Sequence, residues 1–242
     1  MALLEARGLG RTFGGLKAVA GLDLAVEQGE ILGLIGPNGA GKTTVFNLVT
    51  GFVRPTAGEI LFEGRSVVGL RPHAVVARGI TRTFQVVKPF PGLSVLENVT
   101  VAAFPRHPRR RDAEDRAREA LGRMGLLGKE RTLASQLTLI EQKRLEVARA
   151  LATGPRLVLL DEPMGGLNAS EVDVASGIVS SLRAAGITVI LVEHVMKAIM
   201  RISDRVVVLH HGEKIAEGPP AKVVQDAGVI AAYFGTAGRQ AS

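Results

Sequence analysis

Residues 31–44, ILGLIGPNGAGKTT, run from an unbroken apolar stretch straight into a glycine-rich turn that ends on Lys-Thr-Thr. No other segment limits the fold of this chain so tightly. An apolar run without alternation is a strand covered on both faces, which calls for a mostly parallel sheet flanked by helices. GPNGAGKTT (36–44) has the spacing G-x-x-x-x-G-K-[ST], and the residues after it read as a helix closed by Gly51. Strand, glycine loop and helix in that order make a cradle for phosphate. The glycines let backbone N–H groups converge, and the helix N-terminus adds partial positive charge. Gly36, Pro37, Asn38, Gly39, Ala40 and Gly41 are thus candidate phosphate contacts, followed by Lys42 for the β- and γ-phosphates, Thr43 for Mg²⁺, and Thr44. The expected ligand is a nucleoside triphosphate with magnesium.

The rest of the chain supplies the sheet this motif needs. LDLAVE (22–27), EILFEG (59–64), RLVLLD (156–161), TVILVE (188–193) and RVVVLH (205–210) read as strands. RVVVLHHGEKIAEG reads as a hairpin-like pair, followed by a short helix. Residues 90–152 are helical in character. Ser94-x-x-Glu97 is a capping box. In 112–125, Ala113, Ala117, Ala120, Leu121 and Met124 form one apolar stripe, with Glu114/Arg118 and Glu119/Arg123 as i,i+4 pairs and Gly125 as the stop. The predicted fold is α/β: a single domain over 1–242, with a helical insert at roughly 90–152 and C-terminal strands and helix at roughly 186–242.

Two further segments end apolar strands with chemistry. LVLLDEP (157–163) places Asp161 where it reaches a Mg²⁺ shell and Glu162 where it activates or orients a water. LVEHVM places His194 at the end of another strand, within reach of the terminal phosphate if both strands end at one sheet edge. Gln85, after ITRTF, offers an amide oxygen to the metal. The 242 residues contain no cysteine, which excludes disulfides and thiolate chemistry. The net charge of +7 suits polyphosphate, an anionic lipid surface or nucleic acid. Part of that charge lies in PRHPRRR (105–111), where a solvated basic loop is the favoured reading. No apolar run approaches the ~18 residues of a membrane span, so membrane contact is expected through a partner.

In this order, RTFGG, the phosphate loop, Gln85, a signature-like stretch, DEP, GGLN and His194 resemble the ATP-binding subunits of ABC transporters over nearly the whole chain. The resemblance implies a P-loop NTPase core of that family, with a mostly parallel sheet, an N-terminal antiparallel β subdomain and an inserted helical subdomain. It implies that Phe13 stacks on adenine, although a buried loop aromatic remains open for that residue. It also implies that Thr43, Gln85 and Asp161 hold Mg²⁺, that Glu162, His194 and Lys42 are catalytic, and that Gln85 links nucleotide to a membrane partner. GPNGAGKTTVFNLVTGF, RTFQ, LSVLENV, DEPMGGLN, VEHVMKAIMRISDRVVVLHHGEKIAEG and AAYFG resemble the ATP-binding subunit of branched-chain amino acid importers. The partners so implied are integral-membrane permease subunits, a paralogous ATP-binding subunit or a second copy of this chain, and indirectly a periplasmic solute-binding protein. The expected location is peripheral, on the cytoplasmic face of the cell membrane.

One stretch departs from the family pattern. LTLIEQKRLEVAR (137–149) aligns by its LEVAR end with the signature L-S-G-G-Q, which in the family closes on ATP held by the other subunit. Thr138 keeps a hydroxyl for that ATP, but Leu139 and Ile140 replace both glycines and Glu141 replaces an amide. The same residues also read as a capping box, Thr138-x-x-Glu141. Asn168 in GGLN stands where aspartate is usual. These changes suggest an asymmetric pair with an orthodox paralogue. The alternatives are a lipid or polysaccharide exporter ATPase, a soluble ABC ATPase acting on nucleic acid, or a nucleotide switch without useful turnover. With one cassette, one tyrosine and no tryptophan, nucleic acid is not the expected partner.

Overall fold

A computed structural model describes residues 2–234. Residues 235–242, including Gly235 of AAYFG and the end of the predicted C-terminal unit, lie outside the described residues.

Two sheets pack together. The first is antiparallel, with order β2-β1-β4-β5, built from β1 (Ala2–Phe13), β2 (Leu16–Glu27), β4 (Ala57–Phe62) and β5 (Arg65–Ser66). The second has order β10-β9-β3-β8-β7-β6 and comprises β3 (Ile31–Ile35), β6 (Ile80–Arg82), β7 (Leu157–Asp161), β8 (Thr188–Val192), β9 (Arg205–His210) and β10 (Glu213–Gly218). Its pairings are parallel except for the β9–β10 hairpin. The predicted strands are all present. The long β1 was not read as a strand from the sequence, although the family resemblance implied an antiparallel N-terminal unit.

The apolar run of β3 divides between two cores. Leu32 and Leu34 face the antiparallel sheet and α1 (Lys42–Val49), while Ile31 and Ile35 face the helices on the other side. Val158 and Leu160 against Leu157 and Leu159 split in the same way along β7. This two-sided burial is why these strands show no polar alternation.

The helical insert contains α3 (Val95–Ala103), α4 (Arg110–Arg123) and α5 (Leu139–Ala152). Ser94 and Glu97 form the predicted capping box. Ala113, Ala117, Ala120, Leu121 and Met124 are all buried, and the Glu119–Arg123 pair closes at 2.9 Å. The remaining helices are α2 (Pro72–Arg78), α6 (Ala169–Ala184), α7 (Met196–Ile202), α8 (Pro220–Val223) and α9 (Ala227–Phe234). Among the described residues, no helix is long and apolar enough to cross a membrane.

Candidate functional site

Because β3, β8, β7 and β6 run parallel, the segments leaving their C-terminal ends meet at one edge. Gly36–Gly41 connects β3 to α1, Gln85 follows β6, Glu162 follows β7, and His194 follows β8. A cleft at this edge is lined by Phe13, Asn38, Gly39, Ala40, Gly41, Lys42, Thr43, Thr44, Gln85, Glu162 and His194. The sequence-predicted residues thus converge, although they span most of the chain. Lys17 and His211 also line the cleft and were missed. Lys17 lies at the start of β2 and His211 in the turn after β9, and neither belongs to a motif that signals a nucleotide.

The loop's shape depends on its glycines. Gly36 has φ 152°, and a Cβ there would lie 2.1 Å from the Leu209 carbonyl oxygen. Gly41 has φ 104°, and its Cβ would lie 2.4 Å from the Ala18 carbonyl oxygen. Neither position accepts a side chain without moving a neighbouring strand. Gly36 and Pro37 do not line the cleft, but their carbonyls receive the Lys42 ammonium at 2.6 and 2.9 Å. Burial lowers the Lys42 pKa, opposed by the charges of Glu162 and Asp161.

Glu162 is held on several sides. Its Oε1 lies 2.8 Å from His194 Nε2, and its Oε2 accepts from Gln85 Nε2 at 2.8 Å. Its backbone φ of 50° is left-handed, a conformation that costs a non-glycine residue about 1–3 kcal/mol and persists only where the surroundings enforce it. The Glu162 amide donates to Val192 O at 2.9 Å, tying it to the end of β8. A carboxylate so oriented, facing a phosphate cradle, is suited to accept a proton from water.

Asp161 lies one residue away and is 5% exposed. Its Oδ2 accepts from the Arg82 guanidinium at 2.8 Å, in an ion pair buried on both sides. Burial raises the Asp161 pKa, and the Arg82 charge opposes that shift. Arg82 also donates to Asn47 Oδ1 at 2.6 Å and lies 4.7 Å from the Phe84 ring centroid. Thr43, Gln85 and Asp161 share the wall of an adjoining groove, so the three predicted metal ligands come together. Their oxygens are the hard donors Mg²⁺ prefers, and a lone carboxylate fits an ion that takes most ligands from phosphates and water. Among the described residues, no group of three or more His, Cys, Asp or Glu is placed to hold a metal ion.

Phe13 ends β1, 42% exposed, with the Arg11 guanidinium 4.3 Å from its ring centroid. It is a cleft-lining ring and not a buried loop aromatic. Thr138 lies outside the cleft. It caps α5, and its amide donates to the Glu141 carboxylate at 3.0 Å. Glu141 is also held by Lys129 at 2.5 Å. Asn168 is the N-cap of α6, with Glu171 completing a capping box.

Comparison with known proteins agrees with this geometry. The family described as "ABC transporter" matches residues 19–165, and "Branched-chain amino acid ATP-binding cassette transporter" matches residues 213–239. The chain is 40% identical to the high-affinity branched-chain amino acid transport ATP-binding protein BraF of Pseudomonas aeruginosa, with 97% of this chain and 98% of that protein covered. It is 41% identical to LivG of Escherichia coli K12, with the same coverage. The lipopolysaccharide export ATP-binding protein LptB of Escherichia coli K12 is 35% identical, again over 97% of this chain and 98% of its own length. A nucleotide-free ATP-binding cassette of an ABC transporter superposes with a TM-score of 0.90 at 29% identity, covering 97% of this chain and 100% of that one. A bacterial ABC transporter cassette solved as a dimer gives 0.80 at 26% identity, covering 90% and 98%.

Proposed function

This chain belongs to the ABC transporter ATP-binding family and is an ATPase coupled to transport, and from that premise we propose that the importer it powers carries branched-chain amino acids. The carrying observation is the likeness to BraF and LivG across nearly the whole chain, joined by the separate C-terminal match. The more distant likeness to LptB makes lipid export the weaker alternative.

In this reading Phe13 stacks on adenine, residues 36–44 cradle the phosphates, and the Lys42 ammonium moves from its carbonyl partners to the β- and γ-phosphates. Thr43, Gln85 and Asp161 would hold the magnesium ion, which when bound neutralises charge on the phosphate oxygens. Glu162 takes the proton of the attacking water. His194 orients that carboxylate and reaches the terminal phosphate. The exposed rings of Phe52 and Phe84 beside Gln85 offer the permease an apolar surface next to the metal site. The chain then works peripherally at the cytoplasmic face of the membrane, below a permease served by a periplasmic solute-binding protein.

The altered LTLIE stretch favours a second point: this chain pairs with a paralogue whose signature is orthodox. A ligand approaching the N-terminus of α5 would meet Leu139, Ile140 and a carboxylate already engaged by Thr138 and Lys129.

The test is Glu162→Gln in the assembled transporter. ATP hydrolysis and leucine uptake should fall by about 100-fold or more while ATP binding is kept. Hydrolysis at the wild-type rate would remove Glu162 from its role. Uptake of none of leucine, isoleucine or valine by an ATP-hydrolysing wild-type complex would remove the substrate.

A further inference from the structure

Two charged side chains near Glu162 have no task in the mechanism above. Lys143 belongs to α5, in the helical insert, yet its ammonium donates to the Glu162 carbonyl oxygen at 2.9 Å. Glu193 is the residue before His194 and is only 2% exposed. Its carboxylate accepts from the Met164 amide at 2.5 Å and from the His194 amide at 3.0 Å, with the Val195 amide at 3.4 Å.

The two groups act on the same backbone from different elements. Glu193 joins the segment after Glu162 to the segment that carries His194. Lys143 fixes the carbonyl of Glu162, whose amide is already tied to β8, so the left-handed residue is held at both ends. The Lys143 charge also faces Glu193, Glu146 and Glu162. Burial raises the Glu193 pKa, opposed by its three amide donors and by the Lys143 charge, so the hydrogen bonds of this carboxylate hold it in place within the buried segment.

We propose that Lys143 and Glu193 are positioning residues that form a latch between the helical insert and the Glu162–His194 pair. The 2.8 Å contact of that pair then depends on where α5 lies. Movement of the insert away from the sheet withdraws Lys143, frees the Glu162 carbonyl and turns the carboxylate out of line. Docking of the insert restores it. The inference rests on Glu162 being the group that activates water.

The test compares Lys143→Met, Lys143→Arg, Glu193→Gln and Glu162→Gln in the assembled transporter, with amide hydrogen exchange on the isolated full chain. Lys143→Met should lower kcat by about tenfold while KM and ATP affinity change less than about twofold. Lys143→Arg, which keeps a donor, should retain at least about half of kcat. Glu193→Gln should also lower kcat, and Lys143→Met/Glu193→Gln should fall little below the slower of the two single variants, because both act through one pair. Exchange at the Met164 and His194 amides should quicken in Glu193→Gln and Lys143→Met. A wild-type kcat in Lys143→Met, or a loss shared equally by ATP affinity and melting temperature, overturns the latch. If Glu162→Gln itself hydrolyses ATP normally, the assignment of Glu162 fails instead, and the exchange rates alone decide whether the latch exists.

Discussion

His194 Nε2 lies 2.8 Å from Glu162 Oε1, although the two residues follow different strands and are 32 positions apart. Gln85 takes the other carboxylate oxygen. The carboxylate is therefore directed by a side chain at each oxygen, and the histidine supplies one of the two contacts. His194→Ala should lower kcat by about 100-fold, with ATP affinity nearly unchanged, because the lost contact matters at the reacting phosphate more than in binding. Turnover within twofold of wild type would show that Gln85 alone suffices.

The Arg82–Asp161 pair is a second relationship across the sheet, buried on both sides. Arg82→Met would leave a buried carboxylate without its cation, and removal of one partner of such a pair typically costs about 3–5 kcal/mol. Urea denaturation should show that loss. Arg82→Met/Asp161→Asn, which removes both charges, should recover much of the stability but not the hydrolysis. If the double variant is no more stable than Arg82→Met, the pair is not the source of the cost.

These contacts mark where the sequence stops being informative. The phosphate loop, DEP and His194 could be read because each is a short contiguous pattern at the end of an apolar run. Arg82, Lys143 and Glu193 could not, since their partners lie 79, 19 and 29 residues away and become neighbours only through sheet order. β1 escaped notice for a different reason. Its pairing with β2 shifts register at several points, so inward and outward residues do not alternate regularly. Asn168 looked like a lost aspartate, yet Asn168-x-x-Glu171 obeys the capping rule already used for Ser94.

Glu146 supplies a pH prediction. Its carboxylate is buried on α5 and accepts the Phe84 amide at 2.8 Å. Burial raises its pKa, against that hydrogen bond and the charges of Arg149, Lys143 and Arg82. The folded protein therefore holds this proton more tightly than the unfolded chain. The contribution of Glu146 to stability is full below its unfolded pKa and is lost as pH rises towards the folded value. Glu146→Gln keeps an acceptor for Phe84 but does not titrate. Its stability relative to wild type should climb as pH rises from about 4.5, by up to about 1.4 kcal/mol per unit. Urea midpoints measured across that range would check it; a flat or falling difference would refute the direction.

The altered signature tests the proposal that this chain completes its ATP site with an orthodox paralogue. In this chain Thr138 and Glu141 close the first turn of α5 on itself, and Lys129 adds a further hold on the carboxylate. Hydrogen bonding from Lys129 lowers the Glu141 pKa, so the group is firmly anionic where a second subunit would present phosphates. The triple variant Leu139→Gly/Ile140→Gly/Glu141→Gln restores two open amides and removes that charge. It should weaken α5 by at most about 1 kcal/mol per glycine, with less effect in the first turn. If the wild-type chain depends on an orthodox partner, the triple variant should hydrolyse ATP alone at least about tenfold faster than wild type, with a steeper dependence on protein concentration as like subunits pair. A variant that folds, binds ATP and gains nothing would mean that the capped helix end is not what limits the chain. Full activity of the unaltered chain by itself would show that Leu139 and Ile140 are tolerated at a working interface.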